Sequence, residues 1–140
     1  MTKLRILVVD DDEDFAVNLT SALDLFGHRV RWVSTGGEAI DAWRESSFDI
    51  GFMDVGLPDR TGVDSFLEIR SFRPEANIVL MTGGCDEALL DQARENGAVG
   101  VLIKPFSFDH LGEFLDRTAT VDQTPSSSAT IGPRTMTASE

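Results

Sequence analysis

The chain has 140 residues, 41% of them hydrophobic, with one cysteine and a formal net charge of -12. This length and apolar fraction predict one globular domain with its own core, and the acidic balance argues against nucleic-acid or anionic-membrane binding by this segment. No apolar run approaches the roughly 20 residues of a membrane span, and the lone Cys85 cannot form an intramolecular disulfide, so we expect a cytoplasmic protein.

Apolar runs of strand length recur along the chain and alternate with segments whose apolar residues have helical spacing. The runs lie at residues 4–9, 30–33, 50–53, 78–81 and 99–103. Strands that are apolar almost throughout are typical of a parallel sheet covered on both faces.

Five segments have the apolar spacing of amphipathic helices. Their apolar residues are, in chain order, Phe15, Leu19, Leu23 and Phe26; Ala39, Ile40 and Trp43; Val63, Phe66, Leu67 and Ile69; Leu89, Leu90 and Ala93; and Phe108, Leu111, Phe114 and Leu115. Gly27 and Gly97 are predicted to end the first and fourth helices, and Ser107 to cap the fifth. The pattern predicts a doubly wound α/β fold, with a five-stranded parallel sheet and five helices.

The composition changes near residue 120, where Ser, Thr, Pro and Gly replace apolar residues. Such a segment has little apolar surface to bury. We therefore expect one domain over residues 1–120 and a disordered tail or the start of a linker over 121–140.

Polar residues follow four of the predicted strands, at the edge where ligands bind in a parallel sheet. They are Asp10, Asp11 and Asp12, then Asp54, Thr82 and Lys104. Each alone is an ordinary turn, cap or surface residue. Together they place carboxylates close enough to repel by about 3 to 4 kcal/mol per pair at an effective dielectric near 20, which predicts a compensating divalent cation such as Mg²⁺.

This group of residues also suits phosphoryl transfer. A carboxylate held beside Mg²⁺ and the Lys104 ammonium can attack phosphorus, because both cations neutralise charge on the transferred oxygens. The hydroxyl of Thr82 can donate a hydrogen bond to the same group.

Four segments, ILVVDDDEDF, DIGFMDVGLPDRTGVD, IVLMTGG and GVLIKPF, resemble the receiver domains of two-component response regulators, in order and spacing, over residues 3–118. The resemblance implies a flavodoxin-like fold and a phosphorylation-dependent signalling switch. It also implies that Asp54 accepts a phosphoryl group from a sensor histidine kinase or a phosphotransfer protein, in a Mg²⁺-dependent reaction that changes the surface around the fourth helix, the fifth strand and the fifth helix.

The resemblance assigns a role to each of the other strand-end residues. It implies that Asp11 binds Mg²⁺ directly, that Asp10 binds it mainly through water, and that the backbone carbonyl of Gly56 and the Asp54 carboxylate complete the protein ligands. Thr82 and Lys104 would bind the phosphoryl oxygens. It also implies a cis peptide bond between Lys104 and the proline that follows.

One position departs from the family pattern. Three residues before Lys104 the family usually has Tyr or Phe, which swings inward on activation, whereas this chain has Val101. We expect either a smaller rotamer switch or a static surface residue, and favour the static one because a β-branched side chain is stiff at χ1. Output would then depend on Thr82 and on movement of its loop.

Two other functions compete with this interpretation. A degenerate receiver that only binds a partner would lack acceptor or metal-binding acids, which are all present here. A phosphatase or phosphotransferase of the haloacid-dehalogenase type needs a second acid two residues after the nucleophile, where this chain has Gly56. We therefore expect no conventional enzyme, only catalysis of the domain's own phosphorylation and dephosphorylation. An effector domain beyond residue 140, a downstream protein and a phosphorylation-dependent homodimer are the further partners expected.

Overall fold

The computed structural model describes residues 3–84, 87–108, 111–112, 115 and 135–137. The strands are β1 (Arg5–Val9), β2 (Arg29–Val33), β3 (Ile50–Asp54), β4 (Ile78–Thr82), β5 (Gly100–Ile103) and β6 (Thr135–Thr137). The helices with bounds inside these ranges are α1 (Glu13–Leu25), α2 (Gly36–Glu45), α3 (Gly62–Phe72) and α4 (Glu87–Glu95). Within the described ranges, no helix is both long enough and apolar enough to cross a lipid bilayer.

The strands form one parallel sheet in the order β2-β1-β3-β4-β5-β6. The chain runs outward from β1 to β2 and then returns past β1 to β3, which makes the boundary between β1 and β3 the switch point of the sheet. The predicted doubly wound α/β fold is confirmed for its first five strands. All their carboxyl ends meet at one edge.

Both faces of the sheet carry a hydrophobic core, because successive strand residues point to opposite faces. Leu7 and Val9 of β1 belong to the cluster beneath α2, α3 and α4, together with the buried Trp43. Ile6 and Val8 belong to the opposite cluster, beneath α1. This two-sided burial explains the nearly continuous apolar sequence of the strands.

Three of the helices begin at short polar N-cap residues, after the loops at the carboxyl edge of the sheet. The side chains of Asp12, Thr35 and Thr61 accept hydrogen bonds from the first turns of α1, α2 and α3. At the opposite edge, Gly27 and Gly97 follow α1 and α4 with φ angles of +93° and +98°. Glycine adopts this left-handed conformation without steric cost, as the sequence predicted for both positions.

The predicted fifth helix lies partly outside the described residues. Leu111, Gly112 and Leu115 are helical, and Leu111 and Leu115 are buried in the cluster beneath α1, as their spacing predicted. Phe114 and residues 116–120 are outside the description.

The strand β6 falls within the segment predicted to be a tail or linker. It extends the sheet beyond β5, with Val101 opposite Thr135 and Ile103 opposite Thr137. Three residues reading Thr-Met-Thr are too short to produce a periodic signal, so the sequence did not indicate this strand. The domain boundary near residue 120 stays a prediction.

Candidate functional site

Three carboxylates meet where β1 and β3 end. Asp10 and Asp11 directly follow β1, and Asp54 is the last residue of β3. The register pairs Val9 with Met53, so Asp10 lies beside Asp54. Asp10, Asp11 and Asp54 each offer a carboxylate oxygen within 4.8 Å of the other two. The structure therefore brings together the three acids that the strand ends predicted.

Asp10 is the most enclosed of these acids, with no solvent exposure. Its Oδ1 accepts a hydrogen bond from the backbone N–H of Asp12 at 2.9 Å, and its Oδ2 accepts one from Lys104 Nζ at 2.6 Å. Its backbone carbonyl accepts from the indole N–H of Trp32 at 2.8 Å, and its own N–H donates to Val33. Asp10 is thus fixed at both the side chain and the backbone, whereas Asp11 is exposed.

Lys104 reaches this group from β5. Its backbone N–H donates to the carbonyl of Thr82 at 2.7 Å, which holds the start of the loop against β4. Its Nζ lies 2.6 Å from Asp10 Oδ2 and 3.2 Å from Asp54 Oδ1. Burial opposes the charged ammonium, but the hydrogen bond to Asp10 and the charge of Asp54 outweigh that effect and raise the pKa of Lys104. Lys104 is therefore a firmly charged cation between two acids.

The surroundings of Asp54 disfavour the negative charge of its carboxylate. Its pKa is raised, first because burial penalises the carboxylate and second because Asp10 repels it, while Lys104 offsets part of both effects. A single ammonium therefore does not neutralise three neighbouring acids. The remaining charge is the kind that a bound divalent cation stabilises.

The donor set fits Mg²⁺. All three side chains supply hard carboxylate oxygens, which Mg²⁺ prefers to nitrogen or sulfur. Gly56, the predicted carbonyl ligand, is exposed, and a Cβ placed on it would lie 3.8 Å from Asp54 Oδ2. The backbone of Gly56 therefore lies near the Asp54 carboxylate.

Thr82 ends β4 and is buried, but its hydroxyl is turned toward its own loop. Thr82 Oγ1 accepts a hydrogen bond from the N–H of Gly84 at 3.1 Å and donates one to the carbonyl of Gly84 at 3.0 Å. Both bonds would have to change before this hydroxyl could bind a phosphoryl group. Cys85 and Asp86, farther along the same loop, lie outside the described residues.

The loop between β3 and α3, together with the first residue of α3, contains two features that sequence reasoning missed. Gly62 approaches the backbone so closely that a Cβ would collide with the carbonyl oxygen of Asp54. Asp59 accepts hydrogen bonds from the N–H groups of Gly36 and Gly37, both at 2.9 Å, at the start of α2. The turn-rich sequence indicated a loop here, but it contains no signal for a partner 22 or 23 residues away.

Val101 occupies the position where an aromatic residue was expected from the resemblance. It has no solvent exposure and packs in the cluster beneath α2, α3 and α4. Val101 is therefore buried, and the expectation that this residue lies at the surface is wrong. The predicted cis bond between Lys104 and Pro105 is confirmed.

Comparison with known proteins agrees with this geometry. A family model described as the response regulator receiver domain matches residues 6–116. The chain belongs to this family, whose members are signalling switches of two-component systems.

Three individual similarities illustrate the match. The transcriptional regulatory protein ZraR of Salmonella typhimurium is 34% identical over 82% of this chain, and the chain spans only 26% of the length of ZraR. The chemotaxis protein CheY of Thermotoga maritima is 30% identical over 81% of this chain and 95% of its own length. The response regulator TrrA of Thermotoga maritima, solved in complex with Mg(2+)-BeF, has a TM-score of 0.74 and 28% identity, covering 84% of this chain and 99% of that one.

Proposed function

We propose that this domain is a switch that accepts a phosphoryl group on Asp54, from a sensor histidine kinase or a phosphotransfer protein, in a Mg²⁺-dependent reaction. The observation that supports this most strongly is the contact of Lys104 with both Asp10 and Asp54. Beside the three carboxylates, Asp54 provides a nucleophile and Lys104 a cation for the same phosphoryl group.

In the proposed reaction, an oxygen of the Asp54 carboxylate attacks the phosphorus atom of the donor. A new oxygen–phosphorus bond forms, the bond from phosphorus to the donor breaks, and its electron pair leaves with the donor group. The Lys104 ammonium neutralises charge on the phosphoryl oxygens. Asp11, Asp54 and the Gly56 carbonyl would hold Mg²⁺ directly and Asp10 mainly through water, and the bound cation would neutralise further charge on those oxygens.

Thr82 connects this reaction to the surface. In the phosphorylated state its hydroxyl would leave Gly84 and donate to a phosphoryl oxygen, which moves the loop after β4. That loop leads into α4, and β5 lies next to β4. The surface around α4, β5 and the fifth helix would then present a different shape to its target.

The output and the partners follow from the same proposal. Because ZraR is named as a transcriptional regulatory protein and is about four times longer than the matched region, an effector domain beyond residue 140 is one target for the switch. A separate downstream protein and a phosphorylation-dependent homodimer are the others. We place the domain in the cytoplasm and assign it no turnover beyond its own phosphorylation and dephosphorylation.

The proposal is tested by incubation with acetyl phosphate and Mg²⁺, followed by intact mass spectrometry. The parent protein should gain one phosphoryl group, Asp54→Ala should gain none, and Asp11→Ala should gain it only at much higher Mg²⁺ concentration. Asp14→Asn, which changes an exposed acid of α1 outside the three-acid group, is the matched control and should behave as the parent does. The same mass gain in Asp54→Ala would refute the proposal.

A further inference from the structure

The ammonium of Lys104 contacts an aromatic ring as well as its two carboxylates. Lys104 Nζ lies 4.3 Å from the centroid of the Phe15 ring. A cation within about 6 Å of a ring centroid is attracted by the negative face of the ring. The third neighbour of Lys104 is thus an apolar side chain from α1, which no strand-end pattern indicates.

Phe15 is held firmly enough to act as a fixed surface for the ammonium. Its backbone N–H donates to Asp12 Oδ1 at 3.2 Å, which places it in the capped first turn of α1. Its ring makes edge contacts with Phe106 and Phe108, with centroids 5.6 and 6.3 Å away. Two rings from the chain after β5 therefore fix its orientation.

This contact differs from the ion pairs in a way that matters for phosphoryl transfer. A lysine ammonium has three N–H donors. Asp10 Oδ2 accepts a hydrogen bond from one of them, and Asp54 Oδ1 forms an ion pair with the ammonium at 3.2 Å. The ring attracts the cation without needing a directed hydrogen bond. It can therefore hold the flexible lysine stem in place while N–H donors move from a carboxylate to the oxygens of an incoming phosphoryl group.

We propose that Phe15 is a positioning residue for phosphorylation, whose ring face holds the Lys104 ammonium over the acceptor carboxylate. The inference rests on the proposed function of Asp54 and Lys104. It extends that function to an aromatic group formed by Phe15, Phe106 and Phe108, in which Phe15 alone has an observed contact with the ammonium among the described residues.

The test compares rate constants for phosphorylation by acetyl phosphate with Mg²⁺ affinities in the full chain. Phe15→Leu keeps an apolar side chain but removes the ring, and should lower the rate constant by about three- to tenfold, given the usual strength of such contacts. Its Mg²⁺ dissociation constant should stay within about twofold of the parent value, because Phe15 offers no metal ligand. Phe15→Tyr, which restores a ring face, should recover most of the rate.

Phe26→Leu is the matched control, since it removes a ring at the far end of α1, outside this aromatic group, and it should react at nearly the parent rate. In a Lys104→Gln background, Phe15→Leu should cause no further loss, because the ammonium it positions is absent. An unchanged rate in Phe15→Leu, equal losses in Phe15→Leu and Phe26→Leu, or the same loss in the Lys104→Gln background would each overturn the inference. A parent protein that takes up no phosphoryl group would instead overturn the proposed function.

Discussion

At the scale of single residues, the site is a set of unequal acids around one lysine. Asp10 is buried and hydrogen-bonded through both carboxylate oxygens, Asp11 is exposed, and Asp54 is buried between Asp10 and Lys104. These environments suit different tasks. Asp11 has the most open access for a cation, and the charge of Asp54 is disfavoured by burial and by repulsion from Asp10.

The raised pKa of Asp54 predicts a pH-dependent stability of the metal-free protein. A carboxyl group whose pKa is higher in the folded state stabilises the fold below its unfolded pKa, near 4, and loses that contribution as the pH rises through its folded pKa. Asp54→Asn should therefore be more stable than the parent at pH 7, and the difference should shrink toward pH 4.

Urea denaturation between pH 4 and 8 measures this difference directly. Saturating Mg²⁺ should reduce it, because a bound cation stabilises the ionised Asp54 of the parent and Asn offers a weaker ligand. Asp41→Asn, which changes an exposed acid of α2, serves as the control. A parent protein more stable than Asp54→Asn at pH 7 without metal would show that the pair with Lys104 outweighs burial and repulsion.

The positions of the candidate site residues could be predicted from the sequence because they depend on strand ends. Asp10, Asp54 and Thr82 follow apolar runs, and parallel strands bring those ends to one edge. The contacts themselves could not be predicted, because they depend on side-chain directions. The double contact of Lys104 and the hydrogen bonds between Thr82 and Gly84 are examples.

At the scale of elements, the loop between β3 and α3 is anchored at both ends and in the middle. The N–H of Val55 donates to Met81 on β4, and the N–H of Gly62 donates back to Val55. Between them Asp59 accepts hydrogen bonds from the start of α2. Burial opposes the charged form of Asp59, but the N–H groups of Gly36 and Gly37 outweigh it, so its pKa is lowered.

Asp59→Ala should reduce the free energy of unfolding by about 0.5 to 2 kcal/mol, the usual cost of losing a helix cap. The lowered pKa means that the contribution of Asp59 is present above its unfolded pKa and is lost as the pH falls through its folded pKa. The cost should therefore shrink below about pH 4. Thermal or urea unfolding measures this loss of stability, and Asp41→Ala, which changes an exposed acid of α2, is the control. A cost that stayed constant down to pH 3 would contradict a role for the carboxylate.

The elements that sequence predicted well are those with long apolar periodicity. The first four helices and first five strands were all predicted, with boundaries that differ by a few residues. The fifth strand, predicted over 99–103, is Gly100–Ile103. The strand β6 has only three residues and shows no such periodicity. Its position depends on pairing with the edge of β5, which the sequence does not reveal.

At the scale of the whole molecule, the two edges of the sheet carry different kinds of residue. Its amino-terminal edge carries the glycine turns after α1 and α4, and its carboxyl edge carries the acids, Thr82 and Lys104. In the proposed switch the route from Asp54 to α4 passes through Thr82, whose hydroxyl bonds to Gly84 in this structure. Val101 is already buried, so an inward swing of that residue is not part of this route.

Activation should therefore be a modest population shift centred on Thr82. Adding beryllofluoride with Mg²⁺ should shift amide NMR signals from Thr82 through α4 and along β5. These chemical-shift changes should be smaller than those of a complete conversion from the inactive to the active state, which needs about 5.5 kcal/mol. Thr82→Ala should suppress the distal shifts, whereas Thr82→Ser, which keeps the hydroxyl, should retain them. Distal shifts that survive in Thr82→Ala would show that the signal takes another route.

The central claim is that the phosphoryl group is carried by Asp54. After reaction with acetyl phosphate and Mg²⁺, treatment with borodeuteride reduces an acyl phosphate to an alcohol and leaves free carboxylates unchanged. Peptide mass spectrometry should then find deuterated homoserine in place of Asp54 and unmodified aspartate at positions 10, 11 and 12. Homoserine at any of those three positions, or its absence from a protein that has gained the mass of a phosphoryl group, would contradict the account.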